Sequence, residues 1–107
     1  MSGYSPNVAP AEALAQAAKS FLLDVRTYGE FSKLSIAGSV HIPLDELRDR
    51  LDELPQDRTV LIISKAGFEG HLATRILAQS GFSQARYVSG GMSALKLFPS
   101  FASLKEE

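Results

Sequence analysis

Residues 59–70 read Thr59-Val60-Leu61-Ile62-Ile63-Ser64-Lys65-Ala66-Gly67-Phe68-Glu69-Gly70, an apolar run that breaks into a polar turn punctuated by glycine. Val60 to Ile63 shows no alternation of polar and apolar side chains, which suits a strand covered on both faces in a parallel sheet. After the glycines come Leu72, Ala73, Ile76 and Leu77, spaced for one face of a helix that stops at Gly81. The centre of the chain therefore reads strand, turn, helix.

The same grammar extends outward on both sides. Upstream, Phe21 to Val25 is a second apolar strand, and Ser39 to Ile42 a short one stopped by Pro43. Downstream, Ala85 to Val88 is a last short strand. Pro10 suits the first turn of a helix through Ala18, rich in strong helix formers. Tyr28 to Leu34 fits one or two helical turns. Leucines at 44, 47, 51 and 54 predict an amphipathic α-helix ended by Pro55. Gly90-Gly91 opens a final helix through Leu95 and Phe98. Strands alternating with helices at this spacing give an α/β fold, a small parallel sheet with helices on both faces. The expected organisation is a flexible lead-in at 1–8, one domain at 9–98, and a weakly ordered tail at 99–107.

Composition narrows the function classes. The 107 residues are 45% hydrophobic and 21% charged, with 11 basic against 12 acidic side chains and a net charge of −1. That balance leaves no electrostatic footprint for nucleic acid or an anionic membrane. No apolar run approaches the ~20 residues that span a bilayer, and the first residues lack the pattern of a secretory signal, so a cytoplasmic setting is expected. There is no cysteine, which removes disulfides, thiolate metal sites and any cysteine nucleophile supplied by this chain. His41 and His71 alone make no histidine cluster, so neither metal nor cofactor is expected.

Sites in open parallel sheets form beyond the carboxyl ends of the strands. Two such ends carry polar residues here: Asp24-Val25-Arg26 and the turn Ser64 to Gly70. A turn entering a helix gathers backbone N–H groups and the helix dipole, which makes a cradle for an anion. Every strand-to-helix connection has this general shape, so geometry leaves a functional cradle and an ordinary turn equally open. Ser64 as an acyl-transfer nucleophile would need a base and an orienting acid. Nothing marks His71 as that base, and neither Gly-x-Ser-x-Gly nor Ser-x-x-Lys is present. Lys65 could attract an anion, but an exposed lysine is more simply solvated. The charged face carrying Asp45, Arg48, Asp49 and Asp52 reads as solvated surface, and His41 as a satisfied core or edge histidine. Gly90-Gly91 is no phosphate loop, because no Lys-Ser/Thr follows.

Five pieces in order, namely Leu23-Asp24-Val25-Arg26, Glu30-Phe31, the segment Ile36 to Leu44, the strand–loop–helix at 60–77 and Gly81-Phe82 with Ser89-Gly90-Gly91-Met92, resemble a rhodanese-like domain. The loop and helix from Gly67 to Leu77 look most like the rhodanese module fused behind flavin-dependent CoA-disulfide reductases. The resemblance implies that the loop at 64–70 is the active-site loop. Active members begin it with a cysteine, which carries sulfur from thiosulfate or a persulfide to a thiol or cyanide, and many hold an arginine five residues later. Ser64 and Glu69 stand at those two positions. A serine hydroxyl is hardly ionised near neutral pH and forms no persulfide. At about 5 Å and an effective dielectric near 40, a unit charge is worth roughly 1–2 kcal/mol, so Glu69 repels the anion that arginine would draw. The resemblance also implies that Asp24 and Arg26 tie the sheet edge to neighbouring loops rather than act in catalysis. Ser35 replaces the family's histidine before Ile-Pro-Gly.

The expectation is a catalytically silent rhodanese-like domain that serves as a binding or regulatory module. Its partner would be another protein or a fused redox domain, with a small anion or thiol as possible ligand. Two alternatives stand beside it. One is an accessory domain of a flavin disulfide reductase, and the other a sulfurtransferase whose nucleophile position is occupied by Ser64.

Overall fold

The computed structural model describes residues 6–103, 105 and 106. In chain order the elements are β1 (Asn7–Val8), α1 (Pro10–Gln16), β2 (Phe21–Asp24), α2 (Tyr28–Lys33), β3 (Ser35–Ile36), β4 (Val40–His41), β5 (Val60–Ile63), α3 (Phe68–Gln79), β6 (Ala85–Val88), α4 (Gly91–Leu95) and β7 (Lys105–Glu106). Five strands form one parallel sheet in the order β1-β6-β5-β2-β4.

The central strand explains the two-sided architecture. Successive side chains of a strand point to opposite faces. Leu61 and Ile63 accordingly join one core with Ala13, Met92 and Leu95 from α1 and α4. Val60 and Ile62 join the other with Leu47, Ala73, Leu77 and Phe82. None of the four β5 residues is more than 1% exposed. At about 1.5–3 kcal/mol for each buried aliphatic side chain, this strand alone anchors both layers. The fold is the α/β arrangement expected, a parallel sheet with helices on both faces.

Four segments differ from the sequence expectation. Leu44 to Leu54 is two 3-10 helices, Leu44–Asp49 and Leu51–Glu53, rather than one α-helix. Bonds from Arg50 N–H to the Leu47 carbonyl and from Leu54 N–H to the Leu51 carbonyl, both 3.1 Å, show the tighter i→i+3 pattern. The segment must bury Leu47 and Leu54 in one core while spanning from β4 to β5. A 3-10 helix rises about 2.0 Å per residue against 1.5 Å, so it covers more length with the same leucines.

The start and end of the chain supply the other differences. Residues 1–5 of the expected lead-in lie outside the described residues, but Asn7–Val8 forms an edge strand beside Tyr87–Val88. Val8 is 4% exposed, and the bare edge of β6 takes up its backbone. Near the other end, Phe101 is 5% exposed in the core, and Lys105–Glu106 pairs antiparallel with Ser35–Ile36. The final helix is also shorter than expected: α4 ends at Leu95 and continues to Phe98 in i→i+3 turns before Pro99.

Candidate functional site

All strands of the main sheet run the same way, so the turns after β2, β4 and β5 gather at one edge. The turn after β5 is fixed by backbone packing. The Met92 N–H donates to the Ser64 carbonyl at 2.7 Å, and the Ser93 N–H to the Lys65 carbonyl at 3.0 Å. Gly91 has φ +58°, and a Cβ there would run into the Ser64 carbonyl and come within 2.9 Å of the Ala66 nitrogen. Gly67, at φ +109°, has the Gly90 nitrogen 3.1 Å from where its Cβ would be. The two glycine turns thus meet main chain to main chain, which only glycine permits.

Ser64 occupies the centre of this turn. Its Oγ accepts the Gly67 N–H at 2.8 Å, and the residue is 1% exposed. Gly70 lies beneath it in close contact: a Cβ would sit 3.2 Å from Ser64 Oγ and 3.0 Å from the Tyr87 side chain, so either neighbour would have to shift by a few tenths of an ångström. His71 packs its ring edge-on against Tyr87, with 5.7 Å between centroids. Among the described residues no hydrogen bond joins it to Ser64.

An open cleft of about 700 Å³ borders this turn. Of the residues singled out from the sequence, Arg26, Ser64, Lys65 and Glu69 line it, while Asp24, Ala66, Gly67, Phe68 and Gly70 do not. Asp24 is fully buried behind the wall, where its carboxylate accepts from Arg26 Nε at 2.9 Å and Nη2 at 2.8 Å. Arg26 Nη2 also donates to the Leu34 carbonyl, so the pair clasps the end of β2 to the segment after α2. His41 Nε2 donates to the Arg26 carbonyl at 2.7 Å, and its ring stacks on Phe31 at 4.4 Å. These groups are satisfied by one another.

Of the rest of the rim, Asp45 reads from the sequence as part of a solvated face and Glu30 as part of the motif Glu30-Phe31, while neither Tyr28 nor Glu46 is singled out there as a site residue. Tyr28 and Glu30 arrive from α2, and Asp45 and Glu46 from the 3-10 helix after Pro43. The signal for them was position: they follow directly the carboxyl ends of β2 and β4, where sites in parallel sheets form. The cleft is consequently acidic, with Glu30, Asp45, Glu46 and Glu69 against Arg26 and Lys65. Lys65 Nζ is 3.7 Å from Glu30, Arg50 pairs with Glu46 at 3.0 Å, and Arg26 is bound to Asp24. Asp45 and Glu69 keep no cationic partner among the described residues. Glu69 lies in the first turn of α3, where the helix dipole favours negative charge. Its own carboxylate supplies there what an anionic ligand would bring.

Two rim groups are shifted. The hydrogen bond that Tyr28 donates to Glu46, at 2.9 Å, raises the phenol above its ordinary value, and the nearby Glu46 charge adds to this. Glu30 is held below the usual carboxylate range, chiefly by the Thr27 backbone N–H at 3.1 Å, as part of a reciprocal capping box with the Thr27 hydroxyl. A depressed folded-state value means that Glu30 stabilises α2 above its ordinary value of 4.5 and loses that contribution as pH falls through the lower folded value. Urea midpoints of the parent and Glu30→Gln should therefore differ at pH 6, the parent higher, and converge on acidification below 4.5. A difference that persists at pH 2 would contradict the capping role. Among the described residues, no cluster of three His, Asp or Glu side chains could hold a metal, and no helix is long and apolar enough to cross a membrane.

Comparison with known proteins agrees with this geometry. YrkF of Bacillus subtilis (strain 168) is 38% identical over 71 residues, 66% of this chain and 38% of that protein. A protein named sulfurtransferase from Allochromatium vinosum is 30% identical over 81 residues, 76% of both chains. The crystal structure of reduced Bacillus anthracis CoADR-RHD superposes with a TM-score of 0.85 at 32% identity, over 98% of this chain and 18% of that one. The chain thus spans well under half of two of these relatives. The model of the rhodanese-like domain matches residues 8–97, nearly every element from β1 to α4. This chain belongs to the rhodanese-like domain family.

Proposed function

We propose that this domain is a binding or regulatory module of a sulfur- or redox-metabolism protein and carries out no sulfur transfer of its own. One observation carries the reading: the atom at the centre of the active-site turn is the Ser64 hydroxyl, held by the Gly67 N–H, in a chain with no cysteine. Sulfur transfer requires a thiolate that becomes a persulfide and is then attacked by an acceptor. A serine hydroxyl offers neither the ionisation nor a sulfur–sulfur bond. The acidic rim supports the reading, since it disfavours thiosulfate. So do relatives in which the same domain is a minor part of a longer chain.

A second reading, an accessory domain of a flavin disulfide reductase, is favoured by the superposition of 98% of this chain on 18% of the Bacillus anthracis CoADR-RHD chain. Both readings share the silent loop. The test is direct: the purified chain is incubated with thiosulfate and cyanide, thiocyanate is measured, and the intact mass is recorded. The expected result is thiocyanate at the level of a protein-free blank and no added sulfur on the protein. Thiocyanate rising in proportion to protein would overturn the reading.

A further inference from the structure

The chain's formal net charge is only −1, yet the loop cleft is lined by four carboxylates and two cations. The surplus of negative charge is thus gathered in one concave site, whose low-dielectric walls focus its field. Two of the carboxylates are occupied: Glu46 by Arg50 and the Tyr28 hydroxyl, Glu30 by the Thr27 N–H and Lys65. Asp45 and Glu69 have no cation within ion-pair distance among the described residues. They belong to different walls, the 3-10 helix after Pro43 and the first turn of α3. The Tyr28 ring lines the same cleft and is 61% exposed, although its hydroxyl is fixed on Glu46 and its ring meets His41 edge-on at 4.9 Å. A ring held in place with its surface bare, beside unpaired carboxylates, suits a planar cation that stacks and pairs at once. Ser64 adds an independent sign. It is 1% exposed and borders the cleft; its Oγ accepts the Gly67 N–H, but its own O–H proton has no acceptor among the described residues. A buried donor left over in this way calls for an acceptor from outside the chain.

We infer that the cleft receives an arginine-bearing segment of a partner polypeptide. The guanidinium pairs with Asp45 and Glu69 and stacks on Tyr28, its methylene stem covers Pro43 and Leu44, and a neighbouring main-chain carbonyl accepts from Ser64. A planar fork can serve carboxylates from two walls, which the point charge of lysine does less well, and the carbonyl requirement separates a polypeptide from a free guanidine. The inference rests on the reading of the domain as a binding module and names what that module binds.

The test uses the full chain labelled with ¹⁵N and titrated with the amide of N-acetyl-Gly-Arg-Gly, with its citrulline and lysine counterparts, and with ethylguanidinium, which has the cation but no carbonyl. The arginine peptide should shift the Asp45, Lys65 and Glu69 amides saturably, with a midpoint of about 1 mM at low salt that rises at least about fivefold on a tenfold increase in ionic strength. The citrulline peptide, equal in shape but uncharged, should bind at least about tenfold more weakly, and the lysine peptide and ethylguanidinium at least about threefold. Asp45→Asn/Glu69→Gln, both at exposed positions, should weaken the arginine peptide at least about tenfold, whereas Asp57→Asn, exposed and outside the cleft, should change it less than about twofold. Ser64→Ala should weaken the peptide and leave ethylguanidinium unchanged, a split that mere loosening of the turn would not produce. Absence of saturation, equal binding of the citrulline or lysine peptide, or unchanged affinity in the doubly neutralised variant would overturn the inference. If that happens while thiocyanate stays at the blank, the binding-module reading stands and only this partner falls; thiocyanate made by the parent would remove the reading itself.

Discussion

Asp24→Ala should lower the unfolding free energy by about 3–5 kcal/mol, because it leaves a guanidinium buried without its counter-charge. Asp24 is 0% and Arg26 7% exposed, and three bonds of 2.8–3.2 Å join Arg26 Nε and Nη2 to the Asp24 carboxylate. A fourth, at 3.1 Å, comes from the Arg26 backbone N–H. Removing the carboxylate breaks all four bonds and leaves Nε and the backbone N–H of Arg26 without an acceptor in a region that water reaches poorly, while Nη2 keeps only the Leu34 carbonyl. Domains of this size have about 5–15 kcal/mol in total, so the loss is a large share of the whole. Replacing both partners by apolar side chains of similar volume, as in Asp24→Leu/Arg26→Met, should recover much of it. The cost lies in the unpaired charge rather than in the value of the pair. Urea unfolding followed by far-ultraviolet circular dichroism checks both. A single-variant loss under about 1 kcal/mol would mean that the pair is solvated and does not clasp β2 to the segment after α2.

Gly91→Ala should cost at least about 3 kcal/mol, more than an ordinary glycine substitution in a helix. The residue sits at φ +58°, where a Cβ alone costs about 1–2 kcal/mol. That Cβ would also collide with the Ser64 carbonyl and approach the Lys65 carbonyl carbon to 2.8 Å, and backbone atoms cannot swing aside as a side chain can. Relief requires the turn at 64–66 to move away from α4, breaking the bonds from the Met92 and Ser93 N–H groups. Amide exchange at Met92 and Ser93 should therefore quicken together with the fall in urea midpoint. Gly38→Ala is the control: φ is +85°, but nothing lies within 4 Å of its Cβ position, so only the conformational part should be lost. Equal losses at the two positions would show that contact between the turns is not what fixes the loop.

The parts of this fold legible in the sequence are those where one residue type answers one physical demand. Val60 to Ile63 must be buried on both faces, and no other reading of an uncharged aliphatic run of that length before two glycines fits as well. Asp24 and Arg26 stood out as charged residues at the carboxyl end of a strand, where sites in parallel sheets form, and their tying role was implied by the family resemblance. The 3-10 form of 44–54 was not legible, since leucines three and four apart serve either helix. The choice is made by the distance the segment must cover. β1 and β7 are two residues each and carry no period, so pairing with an existing edge defines them. The acidic rim was hidden for another reason. Asp45 and Glu46 look like any solvated helix face until the parallel sheet brings the ends of β2, β4 and β5 to one edge.

The central claim is that the loop keeps the shape of a sulfur-transfer site and lacks only its thiol and its cation. Measuring thiosulfate:cyanide turnover of the parent, Ser64→Cys, and Ser64→Cys/Glu69→Arg under matched ionic strength tests this most directly. In the single variant the Gly67 N–H and the α3 N-terminus should lower the thiol pKa below the ordinary ~8.5. It should then be alkylated readily but turn over slowly, because Glu69 opposes the approach of thiosulfate. The account predicts no turnover by the parent, weak turnover by Ser64→Cys, and at least about a tenfold gain on adding Glu69→Arg, shrinking as salt rises. Turnover by the parent, or a double variant as silent as the parent, would contradict it.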